Sequence, residues 1–314
     1  MNRILIPETV AAETVEFLEQ RGYTVERGCG TDEEALDRAL DGCKAVMVRV
    51  AVISRRLMQR HPELEVIAKH GAGYDNIDVE AARSLGKRVV YAPQANSDSV
   101  AEHAMTLILG CAKRLGAMTK GYAAGDYSVK NRGSGMDVFG KTLGLVGFGR
   151  IGGSVTRMAR LGFGMQVVAF DPYLPTERRP EGIRFTDTLD EVLSAGDFIS
   201  LHVPLTPENR GLISTEALLK MKNTAYLINT SRGGIVDTQA LTEALKDGRI
   251  AGAGLDVTDP EPCPPDHPLF TFDNVILTPH SAAATADALV RMGLDAAKGI
   301  DAILNGREPQ FPIV

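Results

Sequence analysis

Arg232, Glu261 and His280 are three ionisable residues whose types fit hydride exchange at a carbonyl. Reduction of a 2-oxo acid needs a cation for the carboxylate and the carbonyl oxygen, and a general acid for the developing alkoxide. The guanidinium of Arg232 offers a rigid fork of donors for the first task. The imidazole of His280 titrates near neutrality and suits the second. A carboxylate such as Glu261 beside it would stabilise the protonated ring. Taken singly, an arginine after a strand is usually a surface ion pair, and a glutamate in Asp259-Pro260-Glu261-Pro262 is by default a solvated loop residue. The surrounding elements decide between the two.

The first such element is a phosphate cradle. Thr142–Val146 reads as an apolar strand leading into Gly147-Phe148-Gly149-Arg150-Ile151-Gly152. In this G-x-G-x-x-G pattern the first glycine makes the tight turn and the second admits a pyrophosphate. The third lets helix and strand pack closely, with the helix N-terminus facing the phosphate charge. A second strand, Gln166–Phe170, ends in Asp171. A carboxylate there accepts hydrogen bonds from the adenine-ribose hydroxyls and repels a 2′-phosphate, which favours NAD over NADP. Arg178 and Arg179 downstream are expected to face solvent.

The remaining elements follow the same logic. Further strands are expected at Phe198–Leu201, Ala225–Asn229, Gly252–Leu255 and Val275–Leu277, so that six strands with helices between them match a doubly wound dinucleotide fold. The first hundred residues carry their own series, at Ile4–Ile6, Tyr23–Val25, Ala45–Val48, Val66–Ala68 and Val89–Tyr91, spaced for crossover helices between parallel strands. Thr31-Asp32-Glu33-Glu34 suggests a capping box, Ser99-Val100-Ala101-Glu102 a cap for a long helix to about Ala117, and Ala283 to about Leu304 a last helix. Ligands of open α/β sheets lie outside the carboxyl ends of strands. Those ends carry His70-Gly71-Ala72-Gly73, Asn96, Asp171, His202-Val203-Pro204, Thr230-Ser231-Arg232, Asp256 and Thr278-Pro279-His280. A cleft between two sheets accounts for so many coincidences. Arg49 follows the Ala45–Val48 strand, and with Lys69 and His70 it could hold a distal anion of the substrate.

Composition narrows the function classes. The chain has 314 residues, 34 Lys+Arg against 40 Asp+Glu, and a net charge of −6. That length suggests two domains, and mild acidity argues against a nucleic-acid or anionic-membrane surface. The four cysteines, Cys29, Cys43, Cys111 and Cys263, lie far apart, as in a cytoplasmic protein with reduced thiols. No apolar run reaches membrane-spanning length, no signal-peptide pattern opens the chain, and no metal-ligand spacing such as H-E-x-x-H occurs. Glycine is 32 of 314 residues, and ten of these fall in the ligand-facing motifs, including Gly233, Gly234, Gly252 and Gly254.

These motifs together resemble the D-isomer-specific 2-hydroxyacid dehydrogenases, in the branch nearest D-3-phosphoglycerate dehydrogenase and hydroxypyruvate reductase. The resemblance spans essentially the whole chain. It rests on His70-Gly71-Ala72-Gly73-Tyr74-Asp75-Asn76-Ile77-Asp78, Ser99-Val100-Ala101-Glu102-His103, the glycine motif, Asn229-Thr230-Ser231-Arg232-Gly233-Gly234, Gly254-Leu255-Asp256-Val257 and Leu277-Thr278-Pro279-His280.

The resemblance implies two doubly wound parallel-sheet α/β domains. A Rossmann NAD domain (99–284) would be inserted in a flavodoxin-like substrate domain (1–98 and 285–314). It implies that Arg232 binds the substrate carboxylate, that His280 gives or takes the proton, and that Glu261 holds His280. Ala72 and Gly73 amides would cradle the carboxylate. Arg150 and Ile151 would meet the pyrophosphate, and Asp171 the ribose. His202, Thr206, Thr230 and Asp256 would line the rest of the site, with Asp256 facing the nicotinamide carboxamide. His61, His103 and His267 are left as structural or exposed. The family usually dimerises through the segment matching about Ser99–Lys141, so a homodimer is expected. Longer phosphoglycerate dehydrogenases carry a serine-binding regulatory domain; with the sequence ending at Val314, no serine feedback through such a domain is expected. Two substrates stay open: a 2-hydroxy acid with a phosphate or sulfonate tail, and hydroxypyruvate or glyoxylate. A third reading, from another class, is an NAD-sensing corepressor.

Overall fold

The computed structural model describes residues 2–314. They form two compact units, one built from the chain up to Ser97 together with Ala283–Val314, the other from Asp98–Ala282.

The first unit alternates β1 (Arg3–Ile6), α1 (Ala12–Glu19), β2 (Thr24–Arg27), α2 (Glu33–Ala39), β3 (Cys43–Val48), α3 (Arg55–Arg60), β4 (Val66–Lys69), α4 (Val79–Ser84) and β5 (Arg88–Val90). Its five strands are all parallel, in the order β2-β1-β3-β4-β5. That is the flavodoxin-like order. Helices cover both faces of such a sheet, so its central strands are apolar without alternation. Ile4, Leu5 and Ile6 of β1 and Val46, Met47 and Val48 of β3 are accordingly all buried. The capping box expected at Thr31–Glu34 is replaced by a single cap. Asp32 accepts the Ala35 N–H at 2.9 Å, which starts α2 one residue later than Thr31 would.

The second unit holds α5 (Ser97–Ala112), α6 (Leu115–Ala123), β6 (Thr142–Val146), α7 (Arg150–Arg157), β7 (Gln166–Phe170), β8 (Arg184–Phe185), α8 (Leu189–Ala195), β9 (Phe198–Leu201), α9 (Thr215–Lys220), β10 (Tyr226–Asn229), α10 (Thr238–Lys246), β11 (Gly252–Leu255) and β12 (Val275–Leu277). The parallel order is β12-β11-β10-β9-β6-β7-β8. Read from the β8 edge this is the Rossmann order 3-2-1-4-5-6, extended by one strand. β8, which is absent from the six expected strands, is two residues long and too short to show a period; its register against β7 defines it.

Two further expectations change. The long helix starts at Ser97 and stops at Ala112, not near Ala117. Arg114 takes a left-handed φ of 53°, and its guanidinium donates to the carbonyls of Arg132 and Gly133, which turns the chain before α6. Gly252 and Gly254 do not open space for a ligand. A Cβ on Gly252 would lie 2.2 Å from the Asn274 carbonyl, and one on Gly254 would lie 2.9 Å from Leu107 Cβ of α5. These glycines let β11 pack against its neighbours.

The chain then closes the first unit with α11 (Ala286–Leu304), capped by Thr285 through the Ala288 N–H. This helix packs on α1 and β4. The extended tail pairs back along β5, with the Val89 N–H on the Val314 carbonyl at 2.9 Å and the Ile313 N–H on the Val89 carbonyl at 2.8 Å.

Candidate active site

In the second unit, the ends of β6, β7, β9, β10, β11 and β12 carry the candidate residues. The glycine turn leaves β6 with Gly147 at φ +92°, where a Cβ would lie 2.6 Å from the His202 carbonyl. A Cβ on Gly152 would lie 2.4 Å from the Gly147 carbonyl, so turn and helix touch. A Cβ on Gly149 meets nothing within 4 Å. The turn is thus packed from behind and open in front. Gly149 is also the N-cap of α7 and brings no side-chain acceptor, so the first-turn N–H groups, including those of Arg150 and Ile151, face outward for an anion. Phe148 is held edge-on against Phe185 of β8, ring centroids 5.1 Å apart.

Asp171 ends β7 beside that turn. Its carboxylate accepts the Phe148 N–H at 2.8 Å and the Tyr173 N–H at 3.0 Å. The acid therefore fixes the glycine turn from the end of β7. Arg179 does not simply face solvent: its guanidinium lies 5.1 Å from the Phe185 ring centroid.

His202 follows β9, with Nε2 2.9 Å from Ser200 Oγ. Burial pushes its pKa down to about 4, so the ring is neutral at pH 7. Val203 packs against Gly147, and the Pro204 carbonyl accepts the Asn209 side-chain amide at 2.7 Å. The Thr206 N–H donates to Asn209 Oδ1 at 2.8 Å, closing that loop. Thr230, after β10, keeps a buried Oγ1 without a hydrogen-bond partner. Ser231 donates its hydroxyl to the Leu201 carbonyl at 2.5 Å, tying the β10 loop to β9.

Arg232 comes next, with Nη1 on the Ser231 carbonyl at 2.7 Å and its own carbonyl on Asn229 Nδ2 at 2.9 Å. Gly233 has no room for any side chain, because a Cβ would lie 1.9 Å from the Thr258 carbonyl. This contact docks the arginine loop onto the segment leading to Glu261. Arg210 and Asp259, paired at 2.6 Å, brace the same segment.

Glu261 Oε1 stands 2.6 Å from His280 Nδ1. The side chains of His280 and Glu261 are 46% and 43% exposed, so the pair is reachable. His280 itself has a left-handed φ of 50°. Non-glycine residues seldom hold that conformation unless their surroundings impose it. Here Asp256 imposes it. Its carbonyl takes the His280 N–H at 2.7 Å, while its carboxylate takes the Thr278 hydroxyl at 2.6 Å and the N–H groups of Ser281 and Ala282 at 2.8 and 2.9 Å. Burial works to raise the Asp256 pKa, but the bonds from His103, Thr278, Ser281 and Ala282 hold it below the ordinary range. The structure thus gives Asp256 a role the sequence did not suggest: it shapes the 278–282 loop. The sequence placed Thr278 only in a strand-end motif, read His103 as structural or exposed and did not single out Ser281; the three are ordinary polar residues until the loop closes on Asp256.

The first unit treats its basic residues differently. Lys69 is 9% exposed, and its ammonium donates to the Arg49 carbonyl and, at 2.6 Å, to Asn76 Oδ1. His70 is 4% exposed, with Nε2 on the Leu289 carbonyl at 3.2 Å and Nδ1 buried without a partner. Burial pushes its pKa down to about 4, helped by the Arg49 charge, so the ring carries no charge at pH 7. The expectation that His70 and Lys69 join Arg49 at a distal anion is therefore corrected: one is neutral and the other is tied to its own loop. Arg49 remains, with Nη1 on the Thr9 carbonyl at 3.0 Å. The Glu8 carboxylate already occupies the backbone amides of Arg49 and Val50, at 2.6 and 2.8 Å. By contrast, among the described residues no acceptor takes the Ala72 or Gly73 N–H.

Among the described residues no group of three or more His, Cys, Asp or Glu could hold a metal ion, and no helix is long and apolar enough to cross a membrane. The residues do fit a dinucleotide: a turn packed behind and open before it, outward amides at α7, and an orphaned Thr230 hydroxyl.

Comparison with known proteins agrees with this geometry. Residues 105–282 match the family model of the D-isomer specific 2-hydroxyacid dehydrogenase NAD binding domain. D-3-phosphoglycerate dehydrogenase of Methanocaldococcus jannaschii is 41% identical over 308 residues, covering 98% of this chain and 58% of that protein. The chain thus spans a little over half the length of the curated phosphoglycerate dehydrogenases it matches. Glyoxylate reductase of Korarchaeum cryptofilum is 39% identical over 278 residues, 87% of this chain and 83% of that protein. A solved protein of Thermus thermophilus superposes with a TM-score of 0.92 at 39% identity, covering 99% of this chain and 100% of that one. The chain belongs to the D-isomer specific 2-hydroxyacid dehydrogenases, and its second unit contains their NAD-binding domain.

Proposed function

We propose that this protein interconverts a small D-2-hydroxy acid and its 2-oxo acid with NAD as cofactor. The observation that carries the reading is the His280–Glu261 pair, 2.6 Å apart and exposed, on the same strand edge as Arg232 and the glycine turn. The chemistry that cofactor supplies when bound is hydride exchange at its nicotinamide ring. Gly147, Gly149, Arg150, Ile151 and Gly152 would hold the pyrophosphate. Asp171 would hold the ribose, and His202, Val203, Pro204, Thr206, Thr230 and Ser231 the remainder. Asp256 supports them by shaping the His280 loop.

Arg232 binds the substrate carboxylate and turns the carbonyl toward the site. Glu261 engages His280 Nδ1, which leaves Nε2 to deliver its proton to the carbonyl oxygen as the carbon gains hydride. In oxidation the same nitrogen takes the hydroxyl proton. Glu261 stabilises the charged ring on either path. In the first unit, the Ala72 and Gly73 N–H groups, which no described residue accepts, would take a carboxylate oxygen, and Arg49 would meet an anion.

The substrate reading favours hydroxypyruvate or glyoxylate over a phosphorylated acid, because His70 is neutral and Lys69 is bound to its own loop. The test is a panel of 2-oxo acids with NADH and with NADPH, followed at the nicotinamide absorbance. Turnover of glyoxylate or hydroxypyruvate with NADH is the expected result. Cofactor binding without turnover of any member would instead support an NAD-sensing binding protein.

We also assign a cytoplasmic homodimer. The four free cysteines suit a reducing compartment. Leu115 and Tyr122 of α6 and the following Tyr127 are exposed apolar side chains suited to a second copy. Light scattering at the mass of one chain would overturn the dimer.

A further inference from the structure

We propose that His103 is a positioning residue for His280, acting through Thr278 and Asp256. The inference rests on the dehydrogenase reading above. His103 lies in α5, with Nε2 3.0 Å from Thr278 Oγ1 and 3.4 Å from Asp256 Oδ1. The Thr278 hydroxyl is 2.6 Å from the same carboxylate oxygen. An ionised carboxylate only accepts, so the hydroxyl proton goes to Asp256. The hydroxyl oxygen is then left as an acceptor, and His103 Nε2–H is the donor that faces it. These partners assign the His103 tautomer with its proton on Nε2.

A directed chain results, from His103 to Thr278 to Asp256. Its far end is the network that holds His280 in its left-handed conformation: the Asp256 carbonyl on the His280 N–H, and the Asp256 carboxylate on the amides of Ser281 and Ala282. A residue at positive φ relaxes when such constraints loosen. The imidazole is then no longer aimed at Glu261. His103 therefore acts from the helix on the direction of the general acid without touching substrate. Its side chain is 20% exposed, so a replacement need not disrupt the core.

The test compares His103→Phe, which removes the donor, with His103→Gln, whose amide can restore it. With glyoxylate and NADH, His103→Phe is expected to lower kcat about tenfold, the worth of one lost hydrogen bond. KM for NADH should stay within about twofold. His103→Gln should recover most of the loss. Thr278→Val should show the same loss, and the double variant should be no worse than either single one, because one chain is broken twice. Unchanged kcat in His103→Phe, no recovery in His103→Gln, or additive losses would each overturn the proposal. A readout without turnover separates this from failure of the functional reading. The ring 15N signals of His280 should move in His103→Phe and return in His103→Gln; if they stay in place, His103 does not position His280. Wild-type protein inert toward every 2-oxo acid would defeat the functional reading and leave that spectroscopic result standing.

Discussion

Both units are open parallel sheets that gather polar residues at the carboxyl ends of their strands, yet they use them in opposite ways. In the second unit, His280 and Glu261 meet each other and remain nearly half exposed. In the first, Lys69 and His70 stand at the equivalent edge of β4 but are 9% and 4% exposed. Lys69 holds the Arg49 carbonyl and Asn76, and His70 holds the α11 carbonyl of Leu289. Position at a strand end thus makes a residue available to a ligand only if its polar atoms are not already engaged by protein.

The contrast can be broken at its strongest point first. His280→Ala should lower turnover by about 10²–10⁴-fold, the usual worth of a general acid, with NADH affinity largely intact. Steady-state kinetics beside an NADH fluorescence titration would show it, and wild-type turnover would end the claim that the second unit carries the chemistry. The buried histidine of the first unit should instead govern acid stability. Its folded pKa of about 4 lies below the ordinary 6.5. The unfolded chain therefore binds the proton first, and stability present above pH 6.5 is lost as pH falls toward 4. The full effect is about 3 kcal/mol. Denaturant midpoints of wild type and His70→Asn across that window should diverge, with the variant losing less on acidification; parallel curves would contradict a neutral buried ring.

Asp171→Ala should narrow the preference for NADH over NADPH by about tenfold, since it removes one charge repulsion of about 1–2 kcal/mol. An unchanged ratio of kcat/KM values would locate discrimination elsewhere. Arg49→Ala should change kcat/KM for glyoxylate least, by about threefold or less, because surface cations contribute little by themselves. A much larger loss confined to phosphorylated 2-oxo acids would restore the distal-anion reading for that one residue.

The fold was legible where the pattern is physical and local. The runs at β6, β7 and β9 show up in the sequence because strands covered on both faces are almost continuously apolar. β8 was invisible because two residues carry no period, and the end of α5 because Arg114 is an ordinary helix former held left-handed by distant carbonyls. At the site, Arg232, Glu261, His280 and the glycine turn stand out by type and motif. Asp256, Thr278 and His103 belong to three separate segments, and only their closure around one carboxylate reveals a network.

Residue order alone sets the chemistry on offer: two strand–helix series, a phosphate turn, a cation, an acid and a histidine. The reason is that residue type and short-range spacing set donor geometry, intrinsic pKa and periodicity. Which of these groups stay usable is settled by folding. Burial and hydrogen-bond partners depend on what packs against a side chain, and that is how a lysine and a histidine before one glycine loop became structural while a histidine on another loop stayed open beside its carboxylate.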